Sequence, residues 1–169
     1  MKLILKMIII ASFLTSVFGC KGQNRTPVYP KESFSIVKGE LANGKPLIGS
    51  INMAYKNYDK KSDYPWCLEL NIALNLDGVY ENGLPHQDES DVANKFEDQL
   101  IENLKKVATI HYIGHMYNDS FLDIYIYLDN PETANDYLKQ EVNKAGITRS
   151  FSYKIKKDTD WLTVQKLFR

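Results

Sequence analysis

The clearest pattern in the chain is an alternation over residues 66–75, with Trp66, Leu68, Leu70, Ile72 and Leu74 on one side and Glu69, Asn71 and Ala73 on the other. Successive side chains of a strand point to opposite faces, so this run predicts a β-strand with one face in a core. A similar alternation over 47–56, with Ile51, Met53 and Tyr55 opposite Ser50 and Asn52, predicts an earlier strand. A glycine-containing loop over 76–86 leads into 90–107, where Val92, Phe96, Leu100, Leu104 and Val107 recur at three- and four-residue spacing and predict an amphipathic helix. Asp88, Glu89 and Asp91 stand at its start, where carboxylates cap a helix and meet the positive end of its dipole. They read as a helix start rather than a metal site.

Two strands follow at 109–117 and 121–128, joined by Asn118-Asp119-Ser120, a hairpin signal. Asn130-Pro131-Glu132 opens a second helix, running to about 145, that buries Ala134, Tyr137, Leu138 and Val142 before Gly146 ends it. Alternation returns over 147–155, and 158–168 closes the chain as a short amphipathic helix. From residue 66 the order is β-α-β-β-α-β, with an extra strand before it and a helix after it. This predicts an α+β fold of ferredoxin-like type, with helices on one face of an antiparallel sheet.

If the even positions of 66–74 and 122–128 meet the helices, parity sends Glu69, Asn71, His111, His115, Asp123, Tyr125, Tyr127, Ser150 and Ser152 to the other face. A polar face studded with tyrosine and histidine suits recognition, so it is the candidate binding surface, for a protein partner or a second copy of the chain. The competing expectation is a solvated face, or one covered by Trp161, Leu162 and Leu167 of the last helix.

The ends of the chain change the picture. Residues 1–6 carry Lys2 and Lys6, residues 3–14 are an apolar run, and Val17-Phe18-Gly19-Cys20 follows. A positive start, a short apolar stretch and a small residue at the cut describe a secretory signal peptide over 1–19. The run is shorter than the roughly 20 apolar residues of a transmembrane helix. Val17-Phe18-Gly19-Cys20 resembles the lipobox of bacterial lipoproteins. That resemblance implies cleavage before Cys20, a diacylglycerol on its sulfur and acylation of the new amino terminus, so the membrane itself is the expected partner. The competing reading is an ordinary signal peptide with an incidental Cys20. Lys21 lacks likeness to the aspartate of an inner-membrane retention signal, which points to the outer membrane of the cell envelope. Residues 20–45 form a lead-in, in which 21–31 read as a tether reaching at most roughly 35 Å, and 46–169 form the domain.

Composition narrows the partners. The chain has 169 residues, 44% of them hydrophobic and 25% charged, which is ordinary for one globular domain. Two of the 21 basic residues fall in the first 20 positions and no acid does, so the remainder carries 19 basic against 21 acidic side chains, a net of −2. That balance gives no footprint for nucleic acid and no polybasic patch for lipid headgroups. With Cys20 acylated, Cys67 has no disulfide partner and reads as a small buried hydrophobe.

The candidate chemistry is sparse. His111 and His115 have a spacing that joins two imidazoles on a helix, but on a strand they stand about 13 Å apart, too far for one zinc ion with ligands at about 2 Å. No metal site or cofactor is implied. There is no Gly-x-Ser-x-Gly elbow and no glycine-rich phosphate loop. An enzyme of unfamiliar type, with Glu69, His111 and Asp123 as acid–base groups on neighbouring strands, is the rival to the binding module.

Five short motifs, in order, carry a resemblance: Tyr64-Pro65-Trp66, Gly83-Leu84-Pro85, Phe96-Glu97-Asp98, Tyr125-Ile126-Tyr127 and Asp158-Thr159-Asp160-Trp161. Over about 47–168 the chain resembles the bacterial domain-of-unknown-function 695 family. It is also similar to the regulator of ribonuclease activity B family, whose members act by binding a protein. An exported lipoprotein does not meet a cytoplasmic ribonuclease, so this likeness implies only a binding module.

Overall fold

The computed structural model describes residues 26–169. The leader, Cys20 and the start of the lead-in therefore lie outside the described residues. The alternating runs fold into one sheet of six strands among those residues: β1 (Phe34–Glu40), β2 (Pro46–Asn52), β3 (Trp66–Ala73), β4 (Ile110–Asn118), β5 (Phe121–Leu128) and β6 (Phe151–Lys157). Their spatial order is β1-β2-β4-β5-β3-β6, and every neighbouring pair is antiparallel. Helix α1 (Gln87–Val107) joins β3 to β4, and α2 (Pro131–Val142) joins β5 to β6.

The helices cover one face. Leu68, Leu70 and Ile72 of β3 and Ile124 and Ile126 of β5 pack there with Phe96, Leu100 and Leu104 of α1 and Leu138 of α2, so the parity expected of β3 and β5 holds. The buried stripe of α1 is Ala93, Phe96, Leu100, Ile101 and Leu104. Val92 and Val107, expected inside, are left in solvent, because the stripe is rotated by about one position. Helix α2 starts as its residues dictate, with the Asn130 side chain accepting from the Glu132 N–H at 2.9 Å and Pro131 in the first turn. The N-cap of α1 is His86, whose side chain makes no capping hydrogen bond, and in the acidic run expected to cap the helix Glu89 ties it to other segments instead. Glu89 is buried, receives Arg149 Nε at 2.8 Å and Nη2 at 2.5 Å, and accepts the Asn75 N–H at 2.9 Å.

Three departures from expectation shape the other face. First, β1 lies in the segment read as lead-in. It is exposed along nearly its whole length and pairs only with β2, so it has almost no burial pattern to betray it. Second, the closing helix is a 3-10 run, Leu162–Phe168, whose first N–H groups, Leu162 and Thr163, are both held by the Asp158 carboxylate at 2.9 Å. This run, with the turn Met53–Tyr55 and with Tyr58 and Tyr64, lies across the sheet and builds a second core with Ile51, Cys67, Ile113, Met116 and Tyr127. Trp161 is its centre. It stacks on Tyr127 with ring centroids 4.0 Å apart and donates its indole N–H to the Tyr64 carbonyl at 3.0 Å. Cys67 is buried, as expected, and burial pushes its thiol up to about 11.

The third departure is a β-bulge in β4. The β4–β5 register runs Tyr112 opposite Ile126, then Gly114 opposite Tyr125, so Ile113 is an extra residue. Gly114 has φ +143°, and a Cβ there would strike the backbone of Ser50 and Ile51 on β2, which leaves only glycine free to fit. One inserted residue exchanges the faces of every side chain beyond it. His111 lies in the second core's layer, whereas His115 and Tyr117 join Tyr112 on the helix face.

Candidate functional site

The bulge gathers polar groups under α1. Glu97 sits within the helix's apolar stripe, four residues after Ala93 and four before Ile101, and is buried. Tyr112 Oη donates to Glu97 Oε1 at 2.7 Å, and His115 Nδ1 lies 2.7 Å from Glu97 Oε2. A carboxylate only accepts, so the imidazole nitrogen facing it carries the proton. One turn earlier, Tyr117 Oη donates to Asn94 Oδ1 at 2.6 Å and extends the polar seam. The Tyr112 hydroxyl is held far above the ordinary phenol range, first by burial and then by the Glu97 charge. It stays protonated and remains a donor.

This seam opens into a cavity of about 660 Å³. Pairing of β2 with β4 ends at Ile51 opposite Gly114. The first half of β4 is flanked instead by Tyr55 and by the segment carrying Tyr29 and Glu32, and these line the cavity with Ile101, Ile110 and the α1 side chains Asp98, Glu102 and Lys105. Part of the stretch read as a free tether is thus docked. Tyr58 Oη donates to the Val28 carbonyl at 2.6 Å, and the Tyr29 ring lies 4.8 Å from that of His111.

The expected binding face is divided. Glu69, Asn71, Asp123 and Tyr125 do stand together, with Ser152 and Lys154, around a shallow depression of about 280 Å³; Ser150 precedes β6 and is exposed. Asn71, Asp123 and Glu69 are engaged with one another or with neighbours. Asn71 Nδ2 donates to Asp123 Oδ1 at 2.6 Å, Asn118 Nδ2 to Oδ2 at 2.8 Å, and Lys156 Nζ lies 2.7 Å from Glu69. His111 and Tyr127 are not on an open surface. Both are buried in the layer of Tyr58, Tyr64 and Trp161, because the C-terminal turn folds back over them. Tyr127 Oη donates to Asp158 at 2.6 Å, and His111 Nδ1 meets Tyr55 Oη at 3.1 Å. His115 is on the opposite face, because of the bulge. The acid–base trio of Glu69, His111 and Asp123 is therefore not assembled as one open site.

Glu97, Tyr112 and Asn94 were absent from the expected site. The one signal for them was a carboxylate interrupting the helical stripe at Glu97. Among the described residues no group of three or more histidine, cysteine, aspartate or glutamate side chains is arranged to hold a metal ion, and no helix is long and apolar enough to cross a membrane. Compared with known proteins, residues 39–168 match the model of one family, a family of unknown function (DUF695). No curated protein and no solved structure matches the chain.

Proposed function

This chain belongs to the DUF695 family, and because that family's function is unknown, we propose one from the chain's own geometry: a binding module whose ligand seats in the groove between α1 and β4. The observation that carries this is the cavity of about 660 Å³ whose floor is the buried Glu97 with the half-buried Tyr112 and His115. A concave site in which aromatic and aliphatic side chains stand beside converging polar groups is suited to holding a ligand. The sheet depression is smaller, about 280 Å³. A screen of small molecules against the full chain by two-dimensional NMR tests this. Resonances of Glu97, Tyr112 and His115 should shift; shifts confined to Glu69, Asp123 and Tyr125 would return the site to the sheet face.

The same groove supports a second reading as an enzyme. With Nδ1 directed at Glu97, His115 is oriented as a carboxylate-supported base, in place of the trio expected on the sheet. Loss of any turnover in both His115→Gln and Glu97→Gln, with the fold retained, would favour it. For the fold, β4-β5-β3-β6 with crossings by α1 and α2 supports a ferredoxin-like unit to which the β1–β2 hairpin is appended.

The leader supports export and anchoring by lipid on Cys20, in the cell envelope and at its outer membrane, with a second copy or another protein as further partner. The likeness to a family that acts by binding a protein agrees with such a module by analogy alone. Mass spectrometry of the protein from its native host should find residues 1–19 removed and Cys20 acylated. A free thiol at position 20 would refute the anchor.

A further inference from the structure

Taking the α1–β4 groove as the ligand site, we infer that its ligand is an organic cation, specifically an aliphatic polyamine. Three tyrosine rings, Tyr29, Tyr55 and Tyr112, line the cavity, and aromatic faces attract cations while packing against methylene chains. The charges agree in sign. Glu32, Glu97, Asp98 and Glu102 line the same cavity against a single lysine, Lys105, which is held by Glu102 at 2.8 Å. Carboxylates focused in a cleft raise the local concentration of cations and repel anions. Glu97 sits on the floor, 3% exposed, with each oxygen receiving one protein hydrogen bond. A carboxylate has about four acceptor positions, so it can still take N–H groups from a ligand.

The shape favours a linear molecule over a compact one. Asp98 and Glu102 stand one turn apart on α1, roughly 6 Å along its axis, an interval that a few methylenes between two ammonium groups span. The apolar strip between charges is matched by Ile101 and Ile110 on the wall. A lone inorganic ion is poorly served, because its donors would have to converge within about 2–2.6 Å.

Isothermal titration of the full chain with spermidine, and with 1,8-octanediol as an uncharged probe of similar length, tests the inference, with NMR locating whatever binds. Spermidine should bind in the groove, the diol should bind at least 10-fold more weakly, and Glu97→Gln should weaken spermidine at least 10-fold. The exposed double variant Asp98→Asn/Glu102→Gln should weaken it severalfold, which keeps the test decisive if Glu97→Gln does not fold. Asp123→Asn, on the opposite face, should change nothing. Equal binding of the diol in the groove, or spermidine binding indifferent to these carboxylates, overturns the polyamine and leaves the groove as a site. No spermidine binding overturns it as well, and the library screen then decides the groove separately. Spermidine shifting Glu69 and Tyr125 instead overturns both.

Discussion

His111 should make the domain lose stability in mild acid. Its ring is fully buried, 3.9 Å from that of Tyr64 and 4.8 Å from that of Tyr29, and its Nε2 has no hydrogen-bond partner among the described residues. Burial disfavours the charged imidazolium and lowers its pKa from 6.5 to about 4. Between those values the unfolded chain binds a proton that the folded chain refuses, so stability is complete above the unfolded pKa and falls as pH drops from 6.5 towards 4. The slope approaches 1.4 kcal/mol per pH unit, which gives a loss of about 2 kcal/mol from pH 7 to pH 5. In a domain of this size that lowers Tm by roughly 4–8 °C. The depressed carboxyls of Glu89 and Asp158 lose their contributions at still lower pH, which is why the window stops at pH 5. Urea denaturation of the wild type and of His111→Phe across pH 5–7 isolates the effect. The variant can be weaker at every pH, since Tyr55 loses its partner, but its slope should be flatter by about 1 kcal/mol per unit. Parallel slopes would refute the reasoning and mean that His111 takes up its proton in the folded state.

Other substitutions separate charge from shape. Arg149→Met leaves the Glu89 carboxylate buried without its cation and should cost about 3–5 kcal/mol, measured by urea denaturation. Adding Glu89→Leu should recover at least half, and a single-variant cost below about 1 kcal/mol would contradict the burial of the pair. Gly114→Ala and Gly146→Ala form a second contrast, since both glycines have positive φ but only Gly114 is walled by backbone. Gly146→Ala should cost about 1 kcal/mol of strain. Gly114→Ala should cost about 3 kcal/mol or more, or prevent folding, because it must also push β2 off β4; equal melting temperatures for the two variants would sink the argument.

How far the fold could be read follows from where burial lies. α1 and α2 contact one core on one face, and β3 and β5 present an unbroken apolar set to that core, so for these elements the hydrophobic period reports the structure directly. β1 escaped because it is held by hydrogen bonds to β2 with little burial, so it carries no period. The second core was anticipated only in part: Trp161 and Leu167 do cover that face, as the competing expectation had it, whereas Leu162 is exposed. Its residues, among them Tyr55, Tyr58, Tyr64 and Trp161, come from irregular turns far apart in the chain, and no local pattern announces that such turns will converge. Cys67 and Tyr127 could be placed on that face by parity, yet parity cannot say whether a face is open or covered.

The site was lost at a single residue. With an unbroken period of two along β4, His111 and His115 would share one face of the sheet. Ile113 breaks the period, and what remains is one neutral histidine sealed in an aromatic core and another set against a buried carboxylate. The only trace in the sequence is Gly114, a residue that weakens a strand unless the backbone needs the conformation it permits. The family-like motifs fall on the joints that result. Asp158 and Trp161 pin the C-terminal turn, Gly83 with φ +83° lies against the Asp119–Ser120 turn with its carbonyl accepting the Ser120 N–H at 2.8 Å, and Glu97 floors the groove. A carboxylate in a helix's apolar stripe must find donors across the interface or be expelled from it. Here it finds Tyr112, which faces α1 by the ordinary period, and His115, which does so only because the bulge has turned it. Straightening β4 would therefore turn His115 away from Glu97 and leave that carboxylate with the Tyr112 hydroxyl across the interface, while leaving the rest of the sheet able to form.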